Sequence, residues 1–234
     1  MSKQQPKIAI LIFANSSKRE AEHKFLGKGQ ELFDYLNKKI VFEASKTNAQ
    51  ICICNETHQI GATFGQRFTN ALEHTFAKGF HNIIVVGNDS PNLNASHLQK
   101  AIDHLQNDLP VLGPSIDGGI YLLAINRKHF NKRSFATLPW KTPELFGALK
   151  KTLEKNEHSV LQLAYLKDID SENDLTYFLN RYSTNNFLKY LINKILLVLR
   201  KSFYNTSYRH KYQYTSVLYN KGSPKTSRRT PIFS

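Results

Sequence analysis

Short apolar runs that end in polar loops recur along the first two thirds of this chain. The clearest one is Ile83 to Gly87, which leads directly into Asn88-Asp89-Ser90-Pro91. A continuous apolar run of this length is typical of a strand that is buried on both faces, as in a parallel sheet. Because ligands bind beyond the carboxyl ends of such strands, an aspartate at this place is a candidate for binding a metal or a phosphate.

Strand-like and helix-like segments alternate along the chain. This alternation predicts a three-layer α/β/α sandwich with a mostly parallel sheet and helices on both faces. The predicted strands are residues 7–14, 40–42, 51–54, 83–87, 111–112 and 120–125. The predicted helices are residues 20–36, Phe64 to Phe76 with Gly79 as the cap, the segment from Asn94 to about residue 105, and about residues 142–155.

The positive charge is concentrated at the C-terminal end. The chain has 32 Lys and Arg against 18 Asp and Glu, a net charge of +14, and no acidic residue follows Asp174. Eleven Lys and Arg lie beyond that point, so the preceding part carries only +3. We expect a charge-balanced domain at residues 1–180 and a basic module at residues 181–234 that meets an anionic partner.

The basic module begins with an amphipathic pattern at residues 187–201, whose charges are all cationic. Its apolar stretch is shorter than the roughly 20 residues that span a bilayer. It predicts either a helix that lies on an anionic membrane surface or one that packs on the domain, and both alternatives stay open. Tyrosines interleave with basic residues beyond it, in a tail expected to be loosely ordered, but no nucleic-acid-binding fold accompanies them, so we do not expect a nucleic-acid partner.

The N-terminus and the two cysteines indicate the compartment. The N-terminal segment lacks the pattern of a signal peptide, which predicts a cytoplasmic protein, or one that is peripheral on the inner face of the membrane. Cys52 and Cys54 lie two positions apart on a predicted strand and are expected to be buried thiols, not redox or metal residues.

Two further polar loops could join the Asp89 loop. In the first, Gly118-Gly119 would let a ligand approach the backbone closely, and Asp117 could orient a hydroxyl or a metal-bound water, although a plain hairpin turn has the same pattern. In the second, Asp168 and Asp170 would face the same way in an extended segment, so either could complete a metal site with Asp89.

Helix capping is the alternative role of the second acidic loop, since Ser171 and Asp174 have the spacing of a capping box. Cations that could meet a phosphate are Lys18, Arg19 and Lys24 after the first strand and Arg67 at a helix start. Neither a Walker pattern nor a G-x-G-x-x-G motif occurs, and the chain lacks a G-x-S-x-G elbow and histidines at metal-ligand spacing, which excludes common hydrolase and zinc sites.

Six short segments follow one another in a specific order. They are Gln59 to Gly61, Phe64 to Ala71, Gly87 to Leu93, Gly113 to Gly119, Pro139 to Thr142 and Asp168 to Leu175. Their order resembles a bacterial glycosyltransferase-like family of uncharacterised function that has a GT-A type nucleotide-diphospho-sugar transferase fold. The 2-phospholactate and molybdenum-cofactor guanylyltransferases are distant relatives. The resemblance covers about residues 7–180 and implies a Rossmann-like sheet.

The resemblance also implies roles for particular residues. Asp89 would be the metal-binding aspartate, with Asp170 as the second ligand of Mg²⁺ or Mn²⁺. The loop Asp117-Gly118-Gly119 would line the acceptor or sugar pocket with Trp140 at its edge, and Asp89 and Asp117 would be the catalytic carboxylates.

The chain departs from the family after its first strand. Many relatives carry a Pro-Gly loop with a Lys-Thr-Arg run there, whereas this chain has Phe13 to Glu20 without a glycine. Asn15, Lys18 and Arg19 would then bind the phosphates, together with Arg67.

Three functions are compatible with these residues. The family's usual description favours metal-dependent glycosyl transfer from a nucleotide-sugar donor. The alternatives are nucleotidyl transfer that releases pyrophosphate, and a non-catalytic nucleotide-binding or membrane-associated scaffold whose phosphate loop has degenerated.

Overall fold

A six-stranded sheet forms the centre of the structure, a computed structural model that describes residues 7–24, 26, 29–154, 159–181 and 187–199. The strands lie in the order β2-β1-β3-β5-β4-β6. They are β1 (Ile8–Phe13), β2 (Gln50–Cys54), β3 (Asn82–Val86), β4 (Val111–Pro114), β5 (Ile120–Asn126) and β6 (Leu161–Gln162).

Five strands run in one direction and β5 runs against them. β1 pairs in parallel with β2 and β3, and β4 pairs in parallel with β6. β5 is antiparallel to both of its neighbours, β3 and β4. The predicted mostly parallel sheet is confirmed, and the reversal of β5 brings Ile120, its first residue, to the edge at which β1, β3 and β4 end.

Helices cover the two faces of this sheet. They are α1 (Ser17–His23), α2 (Gln30–Ser45), α3 (Phe64–Ala77), α4 (Ala95–Gln106), α5 (Lys132–Ala136), α6 (Leu145–Glu154), α7 (Glu172–Arg181) and α8 (residues 187–199). A short 3₁₀ turn at Arg127–His129 follows β5.

Successive residues of the strands face opposite layers, as the pleat of a sheet requires. Ile10 and Ile84 belong to a buried cluster with residues of α2 and α4. Leu11 and Val85 belong to a second buried cluster, with residues of α3, α5 and α6. The predicted three-layer sandwich is therefore confirmed.

The predicted helix at residues 20–36 and the predicted strand at residues 40–42 are wrong. The first helix ends at His23, and α2 runs through the supposed strand. Leu36, Ile40 and Ala44 are buried at four-residue spacing along α2, whereas Phe42 is 60% exposed. The apolar triplet is a segment of an amphipathic helix, because its first residue, Ile40, is buried and its last, Phe42, faces solvent.

The two cysteines are free thiols. Cys54 is buried and Cys52 is partly buried at the edge strand β2, and burial raises the pKa of both thiols. A raised pKa keeps a thiol protonated and unreactive at neutral pH, which is the behaviour of a structural cysteine.

Helix α8 contacts α2 along its first part. Leu188 and Ile192 are buried, the ring of Tyr35 lies 5.3 Å from that of Phe187, and Nζ of Lys194 binds the carboxylate of Glu31 at 2.7 Å. No helix in the described part of the chain is both long enough and apolar enough to cross a membrane.

The chain divides into two units, Met1–Ile195 and Leu196–Ser234. The described residues lie almost entirely in the first unit. The predicted tail beyond residue 201 lies outside the described residues, and the predicted domain boundary between residues 180 and 181 stays a prediction.

Candidate active site

An open cleft of about 930 Å³ lies at the sheet edge where β1, β3 and β4 end. This volume is within the range of small-molecule sites, roughly 300–1,000 Å³. Asn15 follows β1, Asp89 follows β3 and Asp117 follows β4, and all three line the cleft. The segment at residues 166–170 runs beside the ends of β4 and β3, because Leu166 bridges to Ser115 and the backbone N–H of Ile169 donates to the carbonyl of Asp89 at 2.9 Å.

Lys24 lies at the centre of an ion network in this cleft. Its Nζ is 2.9 Å from Oδ2 of Asp89, 2.9 Å from Oδ1 of Asp170 and 3.3 Å from Oε1 of Glu20. It also donates to the carbonyl of Ile169 at 2.7 Å, and its side chain is only 7% exposed. Burial by itself lowers the pKa of Lys24, but the three carboxylates together raise the pKa above its usual value. The ammonium is therefore charged throughout the physiological pH range.

Asp168 is the most enclosed of the aspartates in the cleft. Its carboxylate accepts hydrogen bonds from the hydroxyls of Ser90 and of Ser115, the latter at 2.6 Å. Burial raises the pKa of Asp168 to about 7, and the negative charges of Asp89 and Asp170 also raise it, against the two serine hydrogen bonds. A group of this kind exchanges its proton near neutral pH.

The carboxylates of Asp89 and Asp170 point to one place, since each lies 2.9 Å from the same nitrogen atom. Carboxylate oxygens are the ligands that Mg²⁺ and Mn²⁺ prefer. Within the described residues, however, no cluster of three or more His, Cys, Asp or Glu side chains could hold a metal. A cation at this place would have two carboxylate ligands, Asp89 and Asp170.

The loop after β1 is held by Glu56, which follows the neighbouring strand β2. The backbone N–H of Ser16 donates to Glu56 at 2.6 Å, and its hydroxyl donates to the other carboxylate oxygen. These hydrogen bonds lower the pKa of Glu56. Asn15 donates to Glu20 at 2.7 Å, and Arg19 lines the cleft from the first turn of α1. Side chains, not a glycine-rich backbone, therefore shape this loop.

Phe64 and Trp140 form an aromatic wall that lines part of the cleft. The rings of Phe64 and Trp140 lie 5.4 Å apart, and Nε1 of Trp140 donates to the carbonyl of Phe135 at 2.8 Å, which orients the indole. The cationic groups of Arg67 and Lys141 lie 6.0 and 5.6 Å from the Phe64 ring. Both cations also line the cleft.

The loop between β4 and β5 depends on its glycine pair. Gly118 has a φ of +92°, and a Cβ at this position would lie 2.2 Å from the carbonyl oxygen of Pro143. Asp117 accepts a hydrogen bond from the backbone N–H of Gly119 at 2.9 Å. Asp117, Gly119 and Pro143 line the cleft, whereas Gly118 lies behind them and permits the close approach.

Most of the residues predicted from the sequence meet in this cleft, but not all. Lys18 is exposed and is not among the residues that line the cleft, and Gly118 acts through its backbone. The sequence indicates Lys24 only as one of several cations that could meet a phosphate, whereas the structure gives it three carboxylate partners in the cleft. Its spacing from Glu20, one helical turn, is the only sequence signal that pointed to an ion pair. The cleft-lining residues that the sequence predicts are Asn15, Arg19, Lys24, Arg67, Asp89, Asp117, Gly119, Trp140, Asp168 and Asp170.

A family match covers the middle of the chain. Residues 36–142 match the family described as "Uncharacterized protein conserved in bacteria (DUF2064)". The predicted resemblance to a bacterial family is confirmed. None of the curated proteins matches the chain.

Solved structures share the fold. A "putative nucleotide-diphospho-sugar transferase" from Desulfovibrio desulfuricans G20 superposes with a TM-score of 0.69 at 20% identity, over 83% of this chain and 97% of that one. At this identity the likeness establishes the fold alone, which is that of the nucleotide-diphospho-sugar transferases.

Two structures are more distant. A 4-diphosphocytidyl-2C-methyl-D-erythritol synthase from Anaerococcus prevotii has a TM-score of 0.49 at 10% identity, over 76% of this chain and all of that one. Rv0371c from Mycobacterium tuberculosis, in a complex with manganese, has a TM-score of 0.45 at 13% identity, over 75% of this chain and all of that one. Likenesses at this level carry no argument about the site.

Proposed function

We propose that the protein is a transferase that binds a nucleotide-sugar donor in the cleft and passes the sugar to an acceptor. The observation that carries this proposal is the meeting of Asp89, Asp168 and Asp170 with cationic side chains at the carboxyl ends of the strands, in one cleft of about 930 Å³. The Desulfovibrio protein with the same fold, described as a "putative nucleotide-diphospho-sugar transferase", supports the same class of donor.

Asp89 and Asp170 would hold Mg²⁺ or Mn²⁺. These residues suit a divalent cation because one carboxylate oxygen of each, together with the carbonyl oxygen of Ile169, lies within 2.9 Å of a single atom, Nζ of Lys24. Mg²⁺ in proteins is commonly held by one or two carboxylates and by the phosphates of the substrate, so a pair of aspartates is a sufficient protein contribution. A bound divalent cation would neutralise the diphosphate of the donor and stabilise it as a leaving group.

The phosphates would meet cations on both sides of the cleft. Arg19 and Arg67 line it from α1 and α3, and a guanidinium can bind a phosphate through two parallel hydrogen bonds. Asn15 lines the cleft just after β1, and its amide would add a neutral donor. Lys18, which is exposed on α1, would contribute only long-range attraction.

The acceptor would bind at the loop between β4 and β5. Asp117 accepts one hydrogen bond from Gly119, and a carboxylate has further lone pairs with which to orient the attacking hydroxyl. Trp140 presents its ring to the cleft at the other side, where a sugar ring could stack. Asp89 and Asp117 are the residues to which we assign the catalytic roles.

The test measures which bond of the donor is broken. The purified protein is incubated with UDP-, GDP- and CDP-sugars and with nucleoside triphosphates, with Mg²⁺ or Mn²⁺, and released nucleoside diphosphate and pyrophosphate are quantified separately. Diphosphate release is the expected result, and Asp89→Asn should reduce it by about 100-fold because a charge-stabilising group is lost. Asp103→Asn, on the exposed face of α4, is the matched control and should retain the rate.

Donor binding gives an independent measurement. Trp140 is the only tryptophan of the chain and lines the cleft, so its fluorescence should change when a donor binds. Release of pyrophosphate alone would replace glycosyl transfer by nucleotidyl transfer. If no donor binds or reacts with either metal, the protein is not a transferase of this class.

A further inference from the structure

The ammonium of Lys24 lies at the point where the proposed metal ligands converge. Oδ2 of Asp89 and Oδ1 of Asp170 are each 2.9 Å from Nζ. A divalent cation held by Asp89 and Asp170 would share both carboxylate oxygens with this ammonium and would lie within a few Å of it. Two positive charges so close together repel strongly even at an effective dielectric constant of about 20, so the cation and the ammonium compete for the two carboxylates.

Lys24 is held firmly in this position. Its side chain is 7% exposed, and Glu20 and the carbonyl of Ile169 complete a set of four oxygen partners. Hydrogen bonds between charged groups are about twice as strong as neutral ones. A metal that displaced Lys24 from a cleft without ligand would leave a buried ammonium without these partners, and an unpaired buried charge is strongly unfavourable.

The protein also offers a metal few ligands of its own. Within the described residues, no group of three or more His, Cys, Asp or Glu side chains is arranged to hold a metal, although Oε1 of Glu20 lies 3.3 Å from Nζ of Lys24. Asp168 is engaged by the hydroxyls of Ser90 and Ser115. The phosphates of a donor would remove both obstacles to metal binding. They would supply further oxygen ligands to the metal, and they would give the displaced ammonium of Lys24 a new anionic partner.

We propose that Lys24 excludes the divalent cation from the empty cleft, so that the cation enters only together with the phosphates of the donor. Lys24 is thus a positioning residue that couples metal binding to donor binding. Because such coupling is reciprocal, the donor binds more tightly with the metal, and the metal binds more tightly with the donor. The inference rests on the proposed function for the identity of the donor, but the exclusion of the metal depends only on Lys24 and its carboxylates.

The first experiment titrates the protein alone with Mn²⁺ and follows free Mn²⁺ by electron paramagnetic resonance. The wild-type protein should not bind Mn²⁺ below the millimolar range. Lys24→Met should bind Mn²⁺ at least tenfold more tightly, because it leaves two aspartates without a cation. Lys132→Met removes a lysine that is paired with one carboxylate, that of Glu73, and does not line the cleft, and this variant should behave like the wild type.

The second experiment adds UDP, CDP or GDP and follows Trp140 fluorescence in Mn²⁺ and in EDTA. In the wild type, Mn²⁺ should raise the affinity for the nucleotide at least tenfold over that in EDTA. In Lys24→Met, Mn²⁺ should raise the nucleotide affinity by a smaller factor. Circular dichroism checks that the variant is folded, and Lys24→Gln replaces it if it is not.

The outcomes separate this inference from the proposed function. Tight Mn²⁺ binding by the wild type without nucleotide overturns the role of Lys24, and so does a folded Lys24→Met that binds Mn²⁺ no better than the wild type. If neither variant folds, equal Mn²⁺ affinity of the wild type with and without nucleotide overturns it. Absence of nucleotide binding in every arm contradicts the proposed function, while Mn²⁺ binding gained in Lys24→Met still supports exclusion by Lys24.

Discussion

Asp168 connects the chemistry of the cleft with the stability of the protein. Its pKa is about 7 in the folded state, against an ordinary value of 3.8. At pH values between 3.8 and about 7, the carboxyl of Asp168 is protonated in the folded state and ionised in the unfolded state. The stability that this group contributes is therefore present below about pH 4 and is lost as the pH rises towards 7 and above.

We expect Asp168→Asn to remove this pH dependence. Relative to the wild type, the variant should gain on the order of 1–3 kcal/mol between pH 5 and pH 8, since one pKa unit corresponds to about 1.4 kcal/mol. Urea denaturation in EDTA at the two pH values measures the difference without a metal in the cleft. An equal difference at pH 5 and at pH 8 would show that the carboxyl of Asp168 is not perturbed.

The glycine pair provides a second prediction at the scale of single residues. Gly118→Ala should destabilise the protein by about 1–3 kcal/mol and weaken donor binding, because its Cβ meets the backbone of Pro143 and its φ is positive. Gly119→Ala is the control, since its Cβ would meet only the carboxylate of Asp117, at 3.2 Å. Urea denaturation and Trp140 fluorescence measure the two effects. Similar losses in both variants would contradict this account of the loop.

At the scale of elements, α3 carries Phe64 of the aromatic wall and Arg67 into the cleft. Its N-terminus is a capping box, in which the hydroxyl of Thr63 accepts from the backbone N–H of Gln66 and the side chain of Gln66 accepts from the backbone of Thr63. The start of the helix sets the position of Phe64 and Arg67, its first residues. The cap is therefore expected to influence binding as well as stability.

We expect Thr63→Ala to cost about 1 kcal/mol of unfolding free energy, the usual effect of losing an N-cap side chain. Donor affinity should fall modestly, because the first turn that holds Arg67 frays. Thr63→Ser retains the hydroxyl and should preserve both quantities. Urea denaturation and fluorescence titration measure them, and a Thr63→Ser variant as weak as Thr63→Ala would mean that the methyl group matters instead of the cap.

Elements also show where local sequence reasoning succeeds. Helix α4 begins after Asn94, as predicted, because this side chain accepts from the N–H groups of Ser96 and His97 and caps the helix. The α1–α2 region was misassigned because its hydrophobic residues are consistent with one helix followed by a strand. Only packing against the sheet distinguishes those possibilities, since it buries Ile40 and exposes Phe42.

At the scale of the whole molecule, the concentration of basic residues at the C-terminal end predicts contact with an anionic surface. Eight Lys and Arg lie in residues 200–234, and each basic residue near an anionic membrane contributes about 1 kcal/mol at moderate salt. The contacts of α8 with α2 mean that a truncation should keep residues 187–199, so that the buried Leu188 and Ile192 stay covered.

We therefore expect the full chain to float with vesicles that contain anionic lipid, and a chain that ends at Leu199 to remain behind. The attraction is electrostatic, so raising the salt concentration should release the full chain. Neutral vesicles are the control for non-specific retention. Equal flotation of the two proteins would remove the membrane partner from consideration.

Local patterns were sufficient to predict β1 to β5, the polar loops that follow β1, β3 and β4, and several of the side chains that line the cleft, but not β6 or the helix at residues 40–42. The reason is that an aspartate such as Asp89 or Asp117 is placed by the strand end directly before it. Tertiary structure was needed for the reversed β5, for the burial of Asp168 and above all for Lys24. This lysine bonds to a carbonyl 145 positions away, and no local periodicity reports a contact that exists only because residues 166–170 lie beside β3 and β4. The charge balance at the metal site is therefore a property of the folded molecule, because it depends on which distant groups share one buried place.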